Sequence, residues 1–135
     1  MQYFDHEKLK VYQKALDFVE WSGSILKNIE GNSVIRDQLD RASISISLNI
    51  AEGNGKYHPK DRCRYFDISR GSALESSACL DILVKRHLIE IDLCDEGKQM
   101  LNEIVAMIVG LIRSNSDRVF EAETEYKISE ENKTD

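Results

Sequence analysis

The sequence has few residues that would interrupt a helix, since it contains one proline, Pro59, and seven glycines among its 135 residues. Outside residues 43–50 it also has little alternation of apolar and polar residues, which is the pattern typical of a half-buried strand. These shortages exclude a β-rich protein and favour an all-α fold. A chain of this length suits a single domain with a sizeable core.

Signals for export, membrane insertion and disulfide bonding are also missing. The N-terminal residues MQYFDHEKLK carry charges where a signal peptide needs an apolar run. The longest apolar run, Ile104 to Ile112, has nine residues, whereas a membrane-spanning helix needs about 20. The three cysteines, Cys63, Cys79 and Cys94, are an odd number and lack C-x-x-C spacing. We therefore expect a cytoplasmic protein that makes no contact with a membrane.

No pattern of catalytic or metal-binding residues is present. His6, His58 and His87 fall in three separate segments without H-E-x-x-H or E-x-x-H spacing. Ser72 and Glu75 lie one helical turn apart, but no histidine or lysine is placed to activate the serine. The G-N-G-K sequence lacks the preceding strand and the spacing of a phosphate-binding loop. The sequence thus predicts no catalytic residue, no metal and no cofactor, and hence a protein that is not an enzyme.

The apolar spacing predicts four helices, over about residues 7–28, 34–54, 59–88 and 93–119. We expect Gly31 to terminate the first helix, Asn32 or Ser33 to cap the second, Pro59 to start the third and Asp92 to cap the fourth. Connections of a few residues imply antiparallel neighbours, and hence an up-down-up-down antiparallel four-helix bundle over residues 1–120. Residues 121–135 are acidic and polar, and we predict a frayed or disordered tail there.

The residues predicted to line the core recur at helical spacing. They are Leu9, Val11, Tyr12, Ala15, Leu16, Phe18, Val19, Ile25, Leu26 and Ile29 in the first helix, Leu39, Ala42, Ile46, Ile50 and Gly53 in the second, Phe66, Ala73, Leu80 and Val84 in the third, and Leu101, Ile104, Ile108, Leu111 and Ile112 in the fourth.

The second and third helices each carry a further apolar stripe on the side opposite the core stripe. An amphipathic surface helix needs only one such stripe, so the second must be covered by a central position in the fold or by another chain. In a protein of this size we expect a subunit contact. The predicted interface residues of this homo-oligomer are Ile44, Leu48 and Ala51 in the second helix and Ile68, Gly71 and Ala78 in the third, with Ile82 and Ile89 on the same stripe as the latter.

Several polar residues border these second stripes. We predict a polar network of Arg41, Asn49, Glu52 and Glu75, because charges next to covered surfaces need partners. In this hypothesis Glu75 pairs with an arginine, Arg41 being the first candidate, either inside the bundle or across the subunit contact. The alternative is that these side chains are solvated at the rim.

Residues 56–70 are the most basic part of the chain. Five cations, Lys56, Lys60, Arg62, Arg64 and Arg70, accompany two carboxylates there, with aromatic residues interleaved. A phosphate backbone needs several cations that converge on one surface. The net charge of −6 works against adventitious binding, and charge runs on helices are usually solvated. Nucleic acid is therefore a candidate partner, through these five residues.

Two blocks of the sequence resemble the four-helix-bundle family named after proteins encoded in 23S rRNA intervening sequences. The first block resembles the family's Q-L-x-R-A-x-x-S-I-x-x-N-I-A-E-G segment at Gln38, Leu39, Arg41, Ala42, Ser45, Ile46, Asn49, Ile50, Ala51, Glu52 and Gly53. The second resembles an aromatic pair followed by G-S-x-x-E, at Tyr65, Phe66, Gly71, Ser72 and Glu75. The resemblance extends over about residues 4–115.

This resemblance implies a left-handed four-helix bundle that assembles as a cyclic homopentamer and has no known enzymatic activity. The family is similar in fold to the accessory variability proteins of diversity-generating retroelements. Those proteins are strongly basic, bind nucleic acid and associate with a reverse transcriptase, whereas this chain is acidic, with a pI of about 5.1.

Two function classes follow from these observations. The first is a non-enzymatic oligomeric scaffold that mediates contact with an unidentified protein partner. The alternative is an RNA- or DNA-associated accessory protein that binds nucleic acid through the basic residues on the ring. Binding at low ionic strength separates the two, because the electrostatic attraction of phosphates is strongest there.

Overall fold

A computed structural model describes residues 2–118 of the chain. A short 3₁₀ turn, Asp5–Lys8, precedes four helices: α1 (Lys10–Lys27), α2 (Ser33–Asn54), α3 (Pro59–Lys85) and α4 (Ile91–Ser114). Residues 2–118 contain no strand, and the prediction of an all-α protein with four helices is confirmed. The predicted boundary at residue 120 and the predicted tail, residues 121–135, lie outside the described residues.

The helices form a bundle in which each contacts its neighbour in sequence and α1 closes the bundle against α4. The helices α3 and α4 run in opposite directions. Near the start of α3, the Cys63 thiol lies 3.7 Å from the Ile112 carbonyl at the end of α4. At the other end, Lys98 of α4 pairs with Asp81 of α3 at 2.5 Å. The order of the helices is therefore up-down-up-down.

Ion pairs on the surface of the bundle connect α4 to both of its neighbours. Lys14 Nζ on α1 lies 2.5 Å from Glu103 on α4, and this hydrogen bond holds the pKa of the Glu103 carboxyl below its usual range. The hydrogen bond to Asp81 raises the pKa of Lys98. These pairs are largely exposed, so they contribute little to stability and serve mainly as markers of helix register.

The helix ends differ from the predictions at two places. Gly31 and Asn32 both have positive φ, +69° and 52°, so they form the reversal between α1 and α2, and the Asn32 side chain makes no capping hydrogen bond. The helix α4 begins after Glu90 rather than at Asp92, which lies within its first turn. The earlier start follows from a left-handed residue, His87 with φ 60°, which ends α3 at Lys85 and reverses the chain within a few residues.

The core consists of the predicted stripes of α2, α3 and α4, together with one row of α1. The row Val11, Ala15, Phe18, Ile25 faces the bundle axis and is buried. Leu16, which we expected in the core, is 39% exposed because it lies on the opposite side of α1. Because apolar residues cover about half of the surface of α1, the sequence alone did not show which row of them points inward. The inner residues of α2 lie where they were predicted. In α3 the predicted Val84 is half-buried, and the neighbouring Leu83 is fully buried in its place.

A close contact between α1 and α4 depends on a missing side chain. The Trp21 ring lies directly over Gly97, so that a Cβ placed on Gly97 would be 2.3 Å from the ring and 2.8 Å from Leu80 Cδ1. Gly97 is buried, and α4 approaches α1 here as closely as an indole ring permits. By contrast, Gly110 on the same helix is exposed, and a Cβ there would meet nothing within 4 Å.

Replacing these two glycines with alanine should change stability in opposite directions. Gly97→Ala forces Trp21 and Leu80 apart and should lower the free energy of unfolding by about 1–3 kcal/mol. Gly110→Ala introduces no clash and improves helix propensity, so it should raise the free energy of unfolding by about 0.5–1 kcal/mol. Urea unfolding followed by circular dichroism measures both. Equal effects of the two substitutions would contradict the Trp21 contact.

Candidate functional site

A line of hydrogen-bonded side chains, which we call the polar seam, joins α2 to α3 on their solvent side. The Gln38 amide donates to the Glu75 carboxylate. The Ser72 hydroxyl donates to the Ser45 hydroxyl at 2.8 Å, and Asn49 Nδ2 donates to that same hydroxyl at 3.0 Å. These pairs fall between residues 38 to 49 of α2 and 72 to 75 of α3, in antiparallel order. The two sequence blocks that resemble the family are therefore the two sides of one helix contact.

Small residues allow α2 and α3 to approach closely along this contact. Ser69 is fully buried, and its hydroxyl donates to the Ile46 carbonyl across the interface at 2.7 Å. A Cβ placed on Gly53 would lie 2.7 Å from the Phe66 ring and 3.0 Å from the Arg62 carbonyl oxygen. Serine and glycine are needed here because larger side chains would separate the two backbones.

The helices α2 and α3 also share an exposed face, which we call the outer face. It consists of two ridges: the α2 ridge of Arg41, Ile44, Leu48 and Ala51, and the α3 ridge of Ile68, Gly71, Glu75, Ala78 and Ile82. Leu48 is 59% exposed, Ile68 46% and Ile44 39%, although each is a large aliphatic side chain. Ala51 is half-buried, and Gly71 and Ala78 are exposed. All six residues predicted for a subunit contact thus lie at the surface of the single chain, and their role in a contact stays a prediction.

Gly71 has no packing role within the chain. It lies in the interior of α3, where glycine costs about 1 kcal/mol relative to alanine. A Cβ at this position would meet no atom within 4 Å, in contrast to Gly53 and Gly97, where a Cβ would collide. The missing side chain therefore leaves a gap on the outer face itself.

The predicted polar network is only partly present within one chain. Glu75 is bonded to Gln38, and Arg41 makes no ion pair with it anywhere in residues 2–118. We therefore correct the expectation of an Arg41–Glu75 pair inside the bundle. The cause is that both side chains project outward from separate ridges, while Gln38 lies in the seam between them. Glu52 pairs with Lys56, which lies just beyond the end of α2, at 3.7 Å.

Arg62, which we expected among the nucleic-acid contacts, serves as a structural clamp. Its Nη1 donates to the carbonyl oxygens of Asn54 and Lys56 at 2.8 and 3.2 Å, and its Nε donates to Asn115 Oδ1 at 3.1 Å. The guanidinium also lies 5.8 Å from the centre of the Phe66 ring. One side chain thus holds together the end of α2, the start of α3 and the end of α4. These bonds give Arg62 a role within the chain, and its predicted contact with nucleic acid stays a prediction.

The other four cations of residues 56–70 do not share a single surface. Lys56 and Arg64 flank the Tyr65 ring, at 5.2 and 5.1 Å from its centre. Lys60 and Arg64 are exposed, whereas Arg70 is half-buried. Arg70 lies one turn from Asp67, which pairs with Arg118 after the end of α4, and so belongs to the side of α3 that faces α4. The group at this end of the bundle reduces to the exposed Lys60 and Arg64, with the half-buried Lys56 beside them.

The cysteine thiols of residues 2–118 are all buried. Cys63, Cys79 and Cys94 are buried free thiols, and burial raises the pKa of Cys79 and Cys94. Within residues 2–118, no three histidine, cysteine, aspartate or glutamate side chains come close enough together to hold a metal ion. No helix in that range is both long and apolar enough to cross a membrane.

Four antiparallel helices with an exposed apolar face on the second and third define an all-α bundle protein. The chain belongs to the 23S rRNA-intervening sequence protein family, whose model matches residues 7–110. The resemblance found in the two sequence blocks is thereby confirmed.

Solved structures support the fold. The chain is similar to a protein of unknown function from the S23 ribosomal protein family of Bacteroides thetaiotaomicron, with a TM-score of 0.71 and 22% identity. The match covers 76% of this chain and 97% of that one. No curated protein sequence matches the chain. Neither the family description nor this neighbour supplies an enzymatic activity.

Two contacts of this site were not predicted from the sequence, namely those of Gln38 with Glu75 and of Ser69 with the Ile46 carbonyl. Gln38 is far from Glu75 along the chain, and nothing local connects them. Ser69 carried a clearer signal, because it falls on the inner stripe between Phe66 and Ala73, and a serine on a core stripe indicates a hydroxyl that must find a buried acceptor.

The clamp can be tested with one conservative substitution at two neighbouring positions. Arg62→Lys keeps the charge but removes the guanidinium N–H groups that donate to Asn54, Lys56 and Asn115. It should lower the free energy of unfolding by about 1–2 kcal/mol. Arg64→Lys removes no hydrogen bond to the backbone and should stay within about 0.5 kcal/mol of the parent. Urea unfolding of the two variants provides the comparison. Equal stability of the variants would contradict the clamp.

Proposed function

We propose that the protein is a non-enzymatic scaffold that self-associates through the outer face and presents its remaining surface to a protein partner. The exposure of Ile44 and Leu48 on the α2 ridge and of Ile68 on the α3 ridge carries this proposal. Contiguous apolar patches on soluble proteins mark interaction sites. The same face holds a glycine without an internal packing role, which favours close approach of another helix.

The energetics favour an assembly in which each subunit makes two contacts. Fully burying a leucine or isoleucine side chain contributes about 1.5–3 kcal/mol, and those of the outer face are already about half buried. Association costs at least about 4 kcal/mol in lost translational and rotational freedom. A single contact is therefore marginal on apolar burial alone. A closed ring of five has five contacts for four association steps, so ring closure adds one contact without a further loss of free translation and rotation.

The positions of the two ridges suit such a ring. The helices α2 and α3 are neighbours in the bundle, so their ridges point outward in different directions. A head-to-tail contact of one ridge on the other closes into a ring of four at about 90° and of five at about 108°. We propose the cyclic homopentamer that the family resemblance implies, with the α2 ridge of each subunit against the α3 ridge of the next.

Leucine-to-lysine substitutions on and off the outer face test the self-association. The parent chain should have a molar mass several times that of the 15.5 kDa monomer. Leu48→Lys places a charge in the contact and should weaken association at least about tenfold. Leu16→Lys, at an exposed position on α1, should leave the mass unchanged. Light scattering over a range of concentrations measures this, and a parent chain that stays monomeric throughout would refute the proposal.

A second function, nucleic-acid binding, draws support from one feature. Tyr57 is 90% exposed, and close to it in sequence Lys56 and Arg64 flank the Tyr65 ring. Exposed aromatic rings stack on unpaired bases while cations contact the phosphates. Only three cations contribute, the exposed Lys60 and Arg64 and the half-buried Lys56, so this surface alone would bind weakly. A ring would bring several copies of it together.

Binding of a fluorescein-labelled mixed-sequence RNA or DNA, followed by anisotropy at low ionic strength, tests this second function. Joint substitution of Lys60→Gln and Arg64→Gln should weaken binding and reduce the slope of affinity against salt by about 2. Lys10→Gln, on α1, provides a control with unchanged affinity. Absence of binding by the parent chain at low salt would eliminate this function.

A further inference from the structure

Glu75 is a carboxylate in the middle of an otherwise apolar and small-residue ridge. On α3 it lies between Gly71 and Ala78, and it is exposed. Gln38 donates one hydrogen bond to Oε1, and Oε2 has no partner among residues 2–118. If another subunit covers this ridge, as the proposed function requires, the carboxylate loses its water and needs a cation.

Arg41 occupies the matching place on the other ridge. It lies at one end of the α2 ridge, one turn from Ile44, and its guanidinium makes no ion pair within residues 2–118. Arginine is suited to such a contact because its planar fork remains charged and binds carboxylates with two parallel hydrogen bonds. Each subunit therefore carries one unsatisfied charge of each sign, on different ridges.

The spacing along the two helices brings the rest of the ridges into register. In a ring whose subunits point the same way, α2 of one subunit runs antiparallel to α3 of the next. If Arg41 is opposite Glu75, Ile44 lies about 4.5 Å further along α2 and Gly71 about 6 Å further along α3 in the same direction. Large and small residues then face each other, since Gly71 leaves a gap that its own chain does not fill.

The same register matches the next pair of residues. Leu48 and Ile68 are each seven residues from the charged residue of their own ridge, which is about 10.5 Å along either helix. The two most exposed aliphatic side chains of the central outer face are thus brought together. No shift of one helix past the other is needed to satisfy both the charges and the apolar side chains.

We propose that Arg41 of each subunit forms an ion pair with Glu75 of the next, and that this pair fixes the register in which the α2 ridge packs on the α3 ridge. This inference rests on the proposed self-association and adds the contact that determines its geometry. Gln38 remains bonded to one oxygen of Glu75 and orients the carboxylate toward the neighbour. The pair gives specificity, since an apolar ridge alone would permit several registers.

Charge reversal separates this pair from other causes of association. Arg41→Glu and Glu75→Arg each place like charges opposite one another, and each variant should associate at least about tenfold more weakly than the parent. The double variant, which carries both substitutions, should recover the molar mass of the parent. Light scattering provides the readout, and circular dichroism checks that each variant is folded, which is expected because both residues are exposed.

A mixing experiment shows whether the pair forms between chains. In each single variant the residues at positions 41 and 75 have the same sign, so no pair can form within one chain or among its copies. An equimolar mixture of the two variants allows opposite charges to meet only across a contact, and its molar mass should exceed that of either variant at the same total concentration. Glu20→Arg and Lys10→Glu, exposed on α1, serve as charge-reversal controls and should not change the mass.

The outcomes distinguish this inference from the proposal on which it rests. Single variants that assemble like the parent, or a folded double variant that stays dissociated, would overturn the ion pair while Leu48→Lys still disrupts the assembly. A monomeric parent chain would overturn the self-association itself, and the pair with it.

Discussion

The close approach of α2 to α3 is the constraint on which the rest of the molecule depends. Gly53 meets the Phe66 ring, and the buried Ser69 hydroxyl bonds directly to the backbone of the facing helix. Because this contact uses small residues, the two helices have few large side chains between them. Their larger aliphatic residues are divided between the bundle core on one side and the outer face on the other. The same contact that holds the bundle together therefore exposes an apolar surface.

Much of this fold could be predicted from the sequence, because helical spacing is a local property. The four helices, the inner stripes of α2, α3 and α4, and the exposed second stripes all follow from it. The helix ends were less accurate: Asp92 did not cap α4, since a left-handed His87 moved the start of that helix forward. In α1 the apolar surface was too broad to show which row faced inward, and Leu16 was misplaced for that reason.

The site was harder to predict because its geometry depends on contacts between distant segments. The count of charges placed Arg62 and Arg64 in one basic group. On the helix, however, Arg62 points toward the bundle and Arg64 points toward water. The same limit applied to Glu75, whose neighbour Gln38 is set by the antiparallel register of two helices. The spacing of apolar residues in the sequence identifies which residues lie on one face of a helix. To identify their partners on another helix, one must know how the two helices are placed relative to each other.

The Arg62 clamp also bears on how the bundle folds. Its donors to the Asn54 and Lys56 carbonyls join segments that are close in sequence, so these bonds can form as soon as α3 begins after α2. The donor to Asn115 Oδ1 forms its bond only when the end of α4 has docked. Through this one side chain, opening of the end of α4 is coupled to the corner between α2 and α3, and we expect hydrogen exchange of amides in these segments to be linked.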